Sequence, residues 1–101
     1  MEELFSEPEP NVIESSAGFS VRVLGRTGMR YTEGHRSVRI NSEVLARPAI
    51  ALFKDSIRAW ESPYDAEQLS DADQDRIAEN IQRAFESCGY EIEVHTDFDW
   101  L

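Results

Sequence analysis

The stretch SIRAWESPYDAEQLSDADQDRIAENIQRAFESCGYEIEV, residues 56–94, decides the fold because it joins a strand to a helix and to a second strand. Ser70 opens the helical pattern, and Asp73 three residues later gives a capping box of the form Ser-x-x-Asp. Gly89 follows as the left-handed residue that commonly ends a helix. The apolar residues at the spacing of one helical face are Ile77, Ile81, Ala84, Phe85 and Cys88. The stretch therefore predicts a helix over residues 70–88 and a strand directly after it.

Alternating segments before the helix predict β-strands. They cover residues 19–23, 29–32 and 38–41, and a continuous apolar segment at 49–54 predicts a strand that is buried on both faces. The predicted fold is α+β: an antiparallel sheet of about five to six strands with the 70–88 helix packed on one face. The inner face would carry Phe19, Val21, Val23, Met29, Tyr31, Val38 and Ile40, and the outer face Arg22, Arg30 and Arg39.

The chain length of 101 residues predicts one domain. Residues 12–101 are expected to form it, and residues 1–11, with two prolines and four glutamates, to form a flexible acidic arm. Cys88 is the one cysteine, so an intrachain disulfide is excluded, which is typical of a cytoplasmic protein. The sequence contains no export signal and no apolar run near 18 residues, so we expect no membrane partner.

The net charge of −10 is distributed unevenly. Residues 16–60 carry eight basic and three acidic side chains, whereas residues 61–101 carry twelve acidic and two basic ones. An acidic surface repels nucleic acid and attracts basic proteins. We therefore expect a protein partner and no nucleic-acid partner.

One side of the predicted helix concentrates acidic residues. Its members are Asp71, Asp75, Glu79, Gln82 and Glu86, which stay within roughly 80° of arc on a helix of 3.6 residues per turn. Such a stripe is either a solvated face, helped by a Glu79–Arg83 pair one turn apart, or a surface for a basic partner. Repulsion between the like charges along the stripe lowers the stability of the fold, which favours the interpretation of the stripe as a binding surface. Asp97, Asp99 and Trp100 in the tail add an aromatic anchor ringed by acids, which is typical of interfaces.

Motifs for catalysis or metal binding are absent from the sequence. Asp71, Asp73 and Asp75 have the spacing of a calcium loop, but Arg76 stands where that loop needs glycine and Gln82 where it needs glutamate. Cys88 falls on the apolar helix face, and neither His35 nor His95 has a partner nearby in sequence for a metal site or a triad. We therefore expect no enzyme activity, no metal and no cofactor.

The order of short motifs resembles the immunity protein 74 family of bacterial polymorphic toxin systems. The motifs are KDSIRAW at 54–60, SP at 62–63, LSD at 69–71, RIAENI at 76–81, Phe85 and GYEIEV at 89–94. The resemblance covers roughly residues 19–94. Ser62 stands where the family has the first proline of a pair, and the N-terminal arm and the aromatic tail lie outside the resemblance.

The resemblance implies a cytoplasmic, non-enzymatic immunity protein, as in contact-dependent inhibition. It would bind the C-terminal effector domain of a cognate toxin one-to-one and be a monomer or weak dimer when free. If the toxin is a nuclease, the acidic stripe would occupy its basic cleft. Two alternatives stay open: an acidic DNA mimic that blocks a nucleic-acid enzyme, and an anion- or nucleotide-binding module that uses Arg22, Arg30 and Arg39.

Overall fold

A computed structural model describes residues 3–46 and 48–95. Within these ranges, seven strands and one α-helix follow one another. They are β1 (Phe5–Glu9), β2 (Val12–Ser15), β3 (Phe19–Gly25), β4 (Gly28–Glu33), β5 (Arg36–Val44), β6 (Ala49–Phe53), α1 (Asp71–Ser87) and β7 (Glu91–His95). A single 3-10 turn, Lys54–Ser56, directly follows β6.

The strands form one mixed sheet in sequence order from β1 to β7, and the sheet is curled into a half-barrel. Val21 on β3 pairs with Tyr31 on β4, which pairs with Val38 on β5, so these side chains point to one face. That face is concave and holds α1. The predicted inner-face residues are confirmed as core, with Val23 partly buried and the other six buried.

Helix α1 begins and ends as the sequence predicts. The Ser70 hydroxyl accepts a hydrogen bond from the Asp73 amide, and the Asp73 carboxylate accepts one from the Ser70 amide. Gly89 ends the helix with a φ of 85°. The face toward the sheet buries Ile77, Ala78, Ile81, Ala84 and Phe85, and each large side chain there contributes about 1.5–3 kcal/mol of burial energy. Within the described ranges, no helix is long and apolar enough to cross a membrane.

The predicted number of strands is wrong, because the sheet has seven. The additional strands are β1 and β2, which lie before the first alternating segment. The segment expected to be an acidic arm contributes β1, since Phe5 packs edge-to-face against Phe19 with ring centroids 6.4 Å apart. Because residues 1–11 contain four glutamates, their composition does not predict this apolar contact.

The prediction of a purely antiparallel sheet is also wrong. β6 and β7 pair in parallel, with Ile50 opposite Ile92 and Leu52 opposite Val94. A parallel pair needs a long crossover connection, and α1 provides it. The helix carries the chain back to the end of the sheet where β6 begins, so β7 starts beside Ala49 and runs the same way.

Candidate partner-binding site

The polar surface of α1 divides into two sides, with the buried face between them. The acidic stripe consists of Asp71, Asp75, Glu79, Gln82 and Glu86. The second side, here called the paired side, consists of Asp73, Arg76, Asn80 and Arg83. At 100° per residue, the centres of the two sides lie roughly 120° apart around the helix axis. Both arginines of the helix belong to the paired side.

Arg76 on the paired side links the start of α1 to the sheet. Its guanidinium donates to Glu33 on β4 at 2.9 Å and to Asp73 at 2.6 Å. The two carboxylates raise the pKa of Arg76, and hydrogen bonds from the Ser70 amide and from Arg76 lower the pKa of Asp73. The guanidinium of Arg76 is therefore paired with two carboxylates of its own chain.

The buried Tyr31 hydroxyl joins this ion pair to the middle of the helix. It donates to the Glu33 carboxylate at 2.9 Å and accepts a hydrogen bond from Asn80 Nδ2 at 2.9 Å. Burial raises the pKa of Tyr31, so the phenol stays protonated. Tyr31 thus places a polar network at the rim of an apolar core.

Arg83 ties the C-terminal half of α1 to the N-terminal segment. It donates to Glu3 at 3.0 Å and to the Asn80 side-chain oxygen, and Glu3 also accepts a hydrogen bond from Ser15. The Ser15 bond and Arg83 lower the pKa of Glu3. The Glu79–Arg83 pair that would have helped a solvated face is therefore not formed, because Arg83 bonds to Glu3 and Asn80 instead.

The five residues of the acidic stripe lie together along one side of α1. Asp71, Glu79 and Glu86 are exposed, and among the described residues none of their side chains is in an ion pair. Asp75 contacts Lys54 at 2.7 Å, and Gln82 is half-buried. Lys54 directly follows β6, so the stripe faces the β6–β7 half of the sheet. The sequence alone does not reveal the ion pair between Lys54 and Asp75, because the two residues lie 21 positions apart. The role of the stripe in binding stays a prediction.

The three tail residues proposed as anchors, Asp97, Asp99 and Trp100, lie outside the described residues. Trp60, in the connection between β6 and α1, is buried in the core. Tyr64 stacks under the guanidinium of Arg36, with 4.4 Å between the ring centroid and Cζ.

The arginines of the outer face form a row across three strands, since Arg22 pairs with Arg30 and Arg30 with Arg39. Arg22 contacts Glu9 at 3.3 Å, and Arg30 contacts Glu61 at 3.0 Å. Two of the three guanidiniums are thus neutralised by the chain itself, one of them by the acidic N-terminal segment. This pairing gives the anion-binding alternative no support.

The aspartates with calcium-like spacing serve the helix start. Asp73 completes the capping box of α1 with Ser70, and Asp75 is paired with Lys54. Across residues 3–46 and 48–95, no three side chains of His, Cys, Asp or Glu come together in a way that could hold a metal ion. Cys88 is a free thiol, partly buried against the core at the end of α1.

Comparison with known proteins gives one match. The family model described as immunity protein 74 matches residues 21–95, three quarters of the chain, from within β3 to the end of β7. No curated protein and no solved structure matches significantly. The matched range contains α1, both of its polar sides and the parallel β6–β7 pair. The chain therefore belongs to the immunity protein 74 family, whose members provide immunity against a toxin.

Proposed function

We propose that this protein neutralises its cognate toxin by one-to-one binding to the toxin's C-terminal effector domain, and that the acidic stripe forms part of the interface. One observation carries the proposal: the stripe presents four carboxylates on the exposed side of α1, with Lys54 as the paired base in the described chain. The arginines of the same helix are engaged elsewhere. A basic partner therefore meets a nearly uncompensated acidic surface.

An acidic surface of this kind acts mainly on the rate of association. Complementary charge steers the partners together and can raise association rates by about 10- to 1,000-fold at low salt. Affinity comes from a few buried anchors, with Arg, Tyr and Trp enriched among them. The tail residues Trp100, Asp97 and Asp99 are our candidates for that second role. The protein then acts as a stoichiometric inhibitor, in the cytoplasm and without catalysis.

A nuclease is the class of toxin that fits the acidic stripe best. Nucleic-acid-binding clefts are basic because they neutralise phosphates, and the stripe would occupy such a cleft. A DNA mimic that regulates a nucleic-acid enzyme would use the same stripe. Protection against the toxin encoded next to this chain separates the two functions.

Neutralisation is tested by expressing the neighbouring toxin domain in a bacterial host with and without this chain. We expect the domain alone to stop growth and co-expression to restore it. Purified together, the two chains should elute as a one-to-one complex. A toxin domain that still stops growth in the presence of well-expressed, folded chain would refute the proposal.

The acidic stripe is tested by the double substitution Glu79→Lys and Glu86→Lys, since neither side chain is paired within the described residues. We expect association with a catalytically inactive toxin domain to slow by about 10-fold or more at low salt and to lose most of its salt dependence. The control is Glu14→Lys with Asp65→Lys, which changes net charge equally at exposed side chains outside α1, β6 and β7. Equal rates for the two double variants would remove the stripe from the interface.

A further inference from the structure

The two edges of the sheet differ in their capacity to accept another strand. At the β1 edge the register is interrupted between Ser6 and Glu9, and Pro8 lacks an amide hydrogen. Bulges and prolines are the features by which proteins block edge pairing. The β7 edge has neither, because Glu91–His95 keeps a regular five-residue register with β6.

The backbone groups on the free edge of β7 can be identified. The Glu91 amide donates to the Pro48 carbonyl at 2.9 Å, so the peptide groups of Glu91 point toward β6. In a strand these groups alternate in direction from residue to residue. The amides and carbonyls of Ile92 and Val94 therefore point away from β6, and no strand within the described chain pairs with them.

We propose that the free edge of β7 accepts an extended segment of the toxin as an added strand, an inference that rests on the proposed function. Edge addition obtains affinity from main-chain hydrogen bonds and specificity from alternate side chains. Here Glu91 and Glu93 are exposed on one face of β7, and Val94 is 40% exposed on the other. The toxin segment should therefore alternate basic and apolar residues.

The side chains of β7 also select against a second copy of the same strand. Two β7 edges would bring Glu91 and Glu93 of both chains together, and like charges opposite each other destabilise a strand pair. A basic strand gains from the same residues, by about 0.2–1 kcal/mol for each opposite-charge pair. These charges thus disfavour self-association at the edge and suit a basic partner.

The free edge and the acidic stripe belong to one half of the molecule. α1 packs against β7, and Asp75 of the stripe is paired with Lys54, which directly follows β6. The paired side of the helix instead contacts Glu33 on β4 and the N-terminal segment. A toxin strand on β7 would therefore lie next to the stripe, which gives one continuous interface.

Hydrogen exchange in the unmodified protein tests this edge directly. The amides of Ile92 and Val94 should exchange rapidly in the free chain, and the complex with an inactive toxin domain should slow them by about 100-fold or more. Unchanged exchange at both amides in the complex would overturn the proposal. Slow exchange caused by dimerisation of the free chain, seen by sedimentation, would overturn the assignment of a toxin strand.

A substitution supplies the second test. Val94→Pro removes an amide hydrogen on the free edge while leaving the bonds to β6, and Val94→Ala is the control that keeps the amide. We expect the proline variant to weaken toxin binding about 10-fold or more, and the alanine variant by less than about 3-fold. Equal losses would assign the effect to the side chain and refute strand addition. Thermal unfolding of both variants verifies that they are folded.

The two proposals fail in different ways. If Glu79→Lys with Glu86→Lys slows association while the Ile92 and Val94 amides stay unprotected, the stripe binds the toxin and the edge does not. If both amides are protected while the stripe variant associates normally, the edge carries the interface and the stripe is solvated. If no complex forms, both proposals are wrong.

Discussion

The two polar sides of α1 show how similar residues can have different roles. Both have charged residues at helical spacing, and both include exposed side chains. On the paired side, Arg76 and Arg83 hold the helix to β4 and to the N-terminal segment. On the acidic stripe, the described structure contains one ion pair, between Asp75 and Lys54. One side is bound to its own chain, and the other is available to a partner.

This difference indicates where a binding surface can be sought in a strongly charged protein. Charges with internal partners hold the fold together, whereas like charges left together cost stability that association with an opposite charge recovers. A reading of the helix alone counts acidic residues without separating the two sides. The separation requires the positions of Glu33, Glu3 and Lys54, which are distant in sequence.

Removing the Tyr31 hydroxyl should give the largest change in stability, because it leaves Glu33 and Asn80 without their shared partner. We expect Tyr31→Phe to lower the free energy of unfolding by about 1–2 kcal/mol in urea denaturation. The control Tyr64→Phe removes a hydroxyl with no hydrogen-bond partner in the described structure and should change it by less than about 0.5 kcal/mol. Similar losses in both variants would contradict a structural role for the network.

A matched pair of aspartates in the first turn compares the sides directly. Asp73→Ala removes both the capping-box contact with Ser70 and the bridge to Arg76, and should cost about 1 kcal/mol after allowing for solvent exposure. Asp71→Ala, on the stripe, should cost less than half as much. Urea denaturation of the two variants measures the difference. A larger loss for Asp71→Ala would reverse the assignment of the two sides.

The paired side should also determine part of the stability in acid. The Ser70 amide and Arg76 hold the pKa of Asp73 below its ordinary value of 3.8. A lowered folded-state pKa stabilises the fold fully above 3.8, and this stabilisation is lost as pH falls through the folded-state value. The free energy of unfolding, measured by urea denaturation, should therefore fall less between about pH 6 and about pH 3 for Asp73→Asn than for the wild type. Parallel losses would contradict this.

The smallest expected effect is a faster association with the toxin, whereas substitutions in the acidic stripe should slow it. Lys54→Gln removes the positive charge beside Asp75, so we expect toxin association to become about two-fold faster at low salt, with a nearly unchanged urea midpoint. The control Arg26→Gln alters net charge equally at the turn between β3 and β4. Slower association of the Lys54 variant than of the control would indicate that Lys54 itself contacts the toxin.

The sequence predicted the parts of the fold that local patterns encode. Alternation identified β3 to β5, and Ser70, Asp73 and Gly89 bounded α1, because capping and periodicity depend on residues within one turn or one strand. It did not predict β1, since the contact between Phe5 and Phe19 spans two connections. The parallel pairing of β7 was missed for the same reason, because strand direction is set by the helix that precedes it.

The candidate site was predicted in outline and not in its contacts. Helical spacing was sufficient to place Asp71 and Glu86 on one stripe. Helical spacing was not sufficient to predict the contacts of the side chains, since Arg83 bonds to Glu3, 80 positions away, in preference to Glu79 one turn before it. The sequence predicted a strand after α1, but its free edge depends on the strand that is missing beside it, which a local pattern does not encode.

The sequence order of the sheet has a consequence for how the protein folds. Neighbouring strands are also successive strands in the chain, so most pairings close short loops, and proteins dominated by such local contacts fold fast. The β6–β7 pairing is the exception, because it must wait until α1 has been made. We therefore expect the half that contains β6, β7 and the acidic stripe to form last, after α1 has been made.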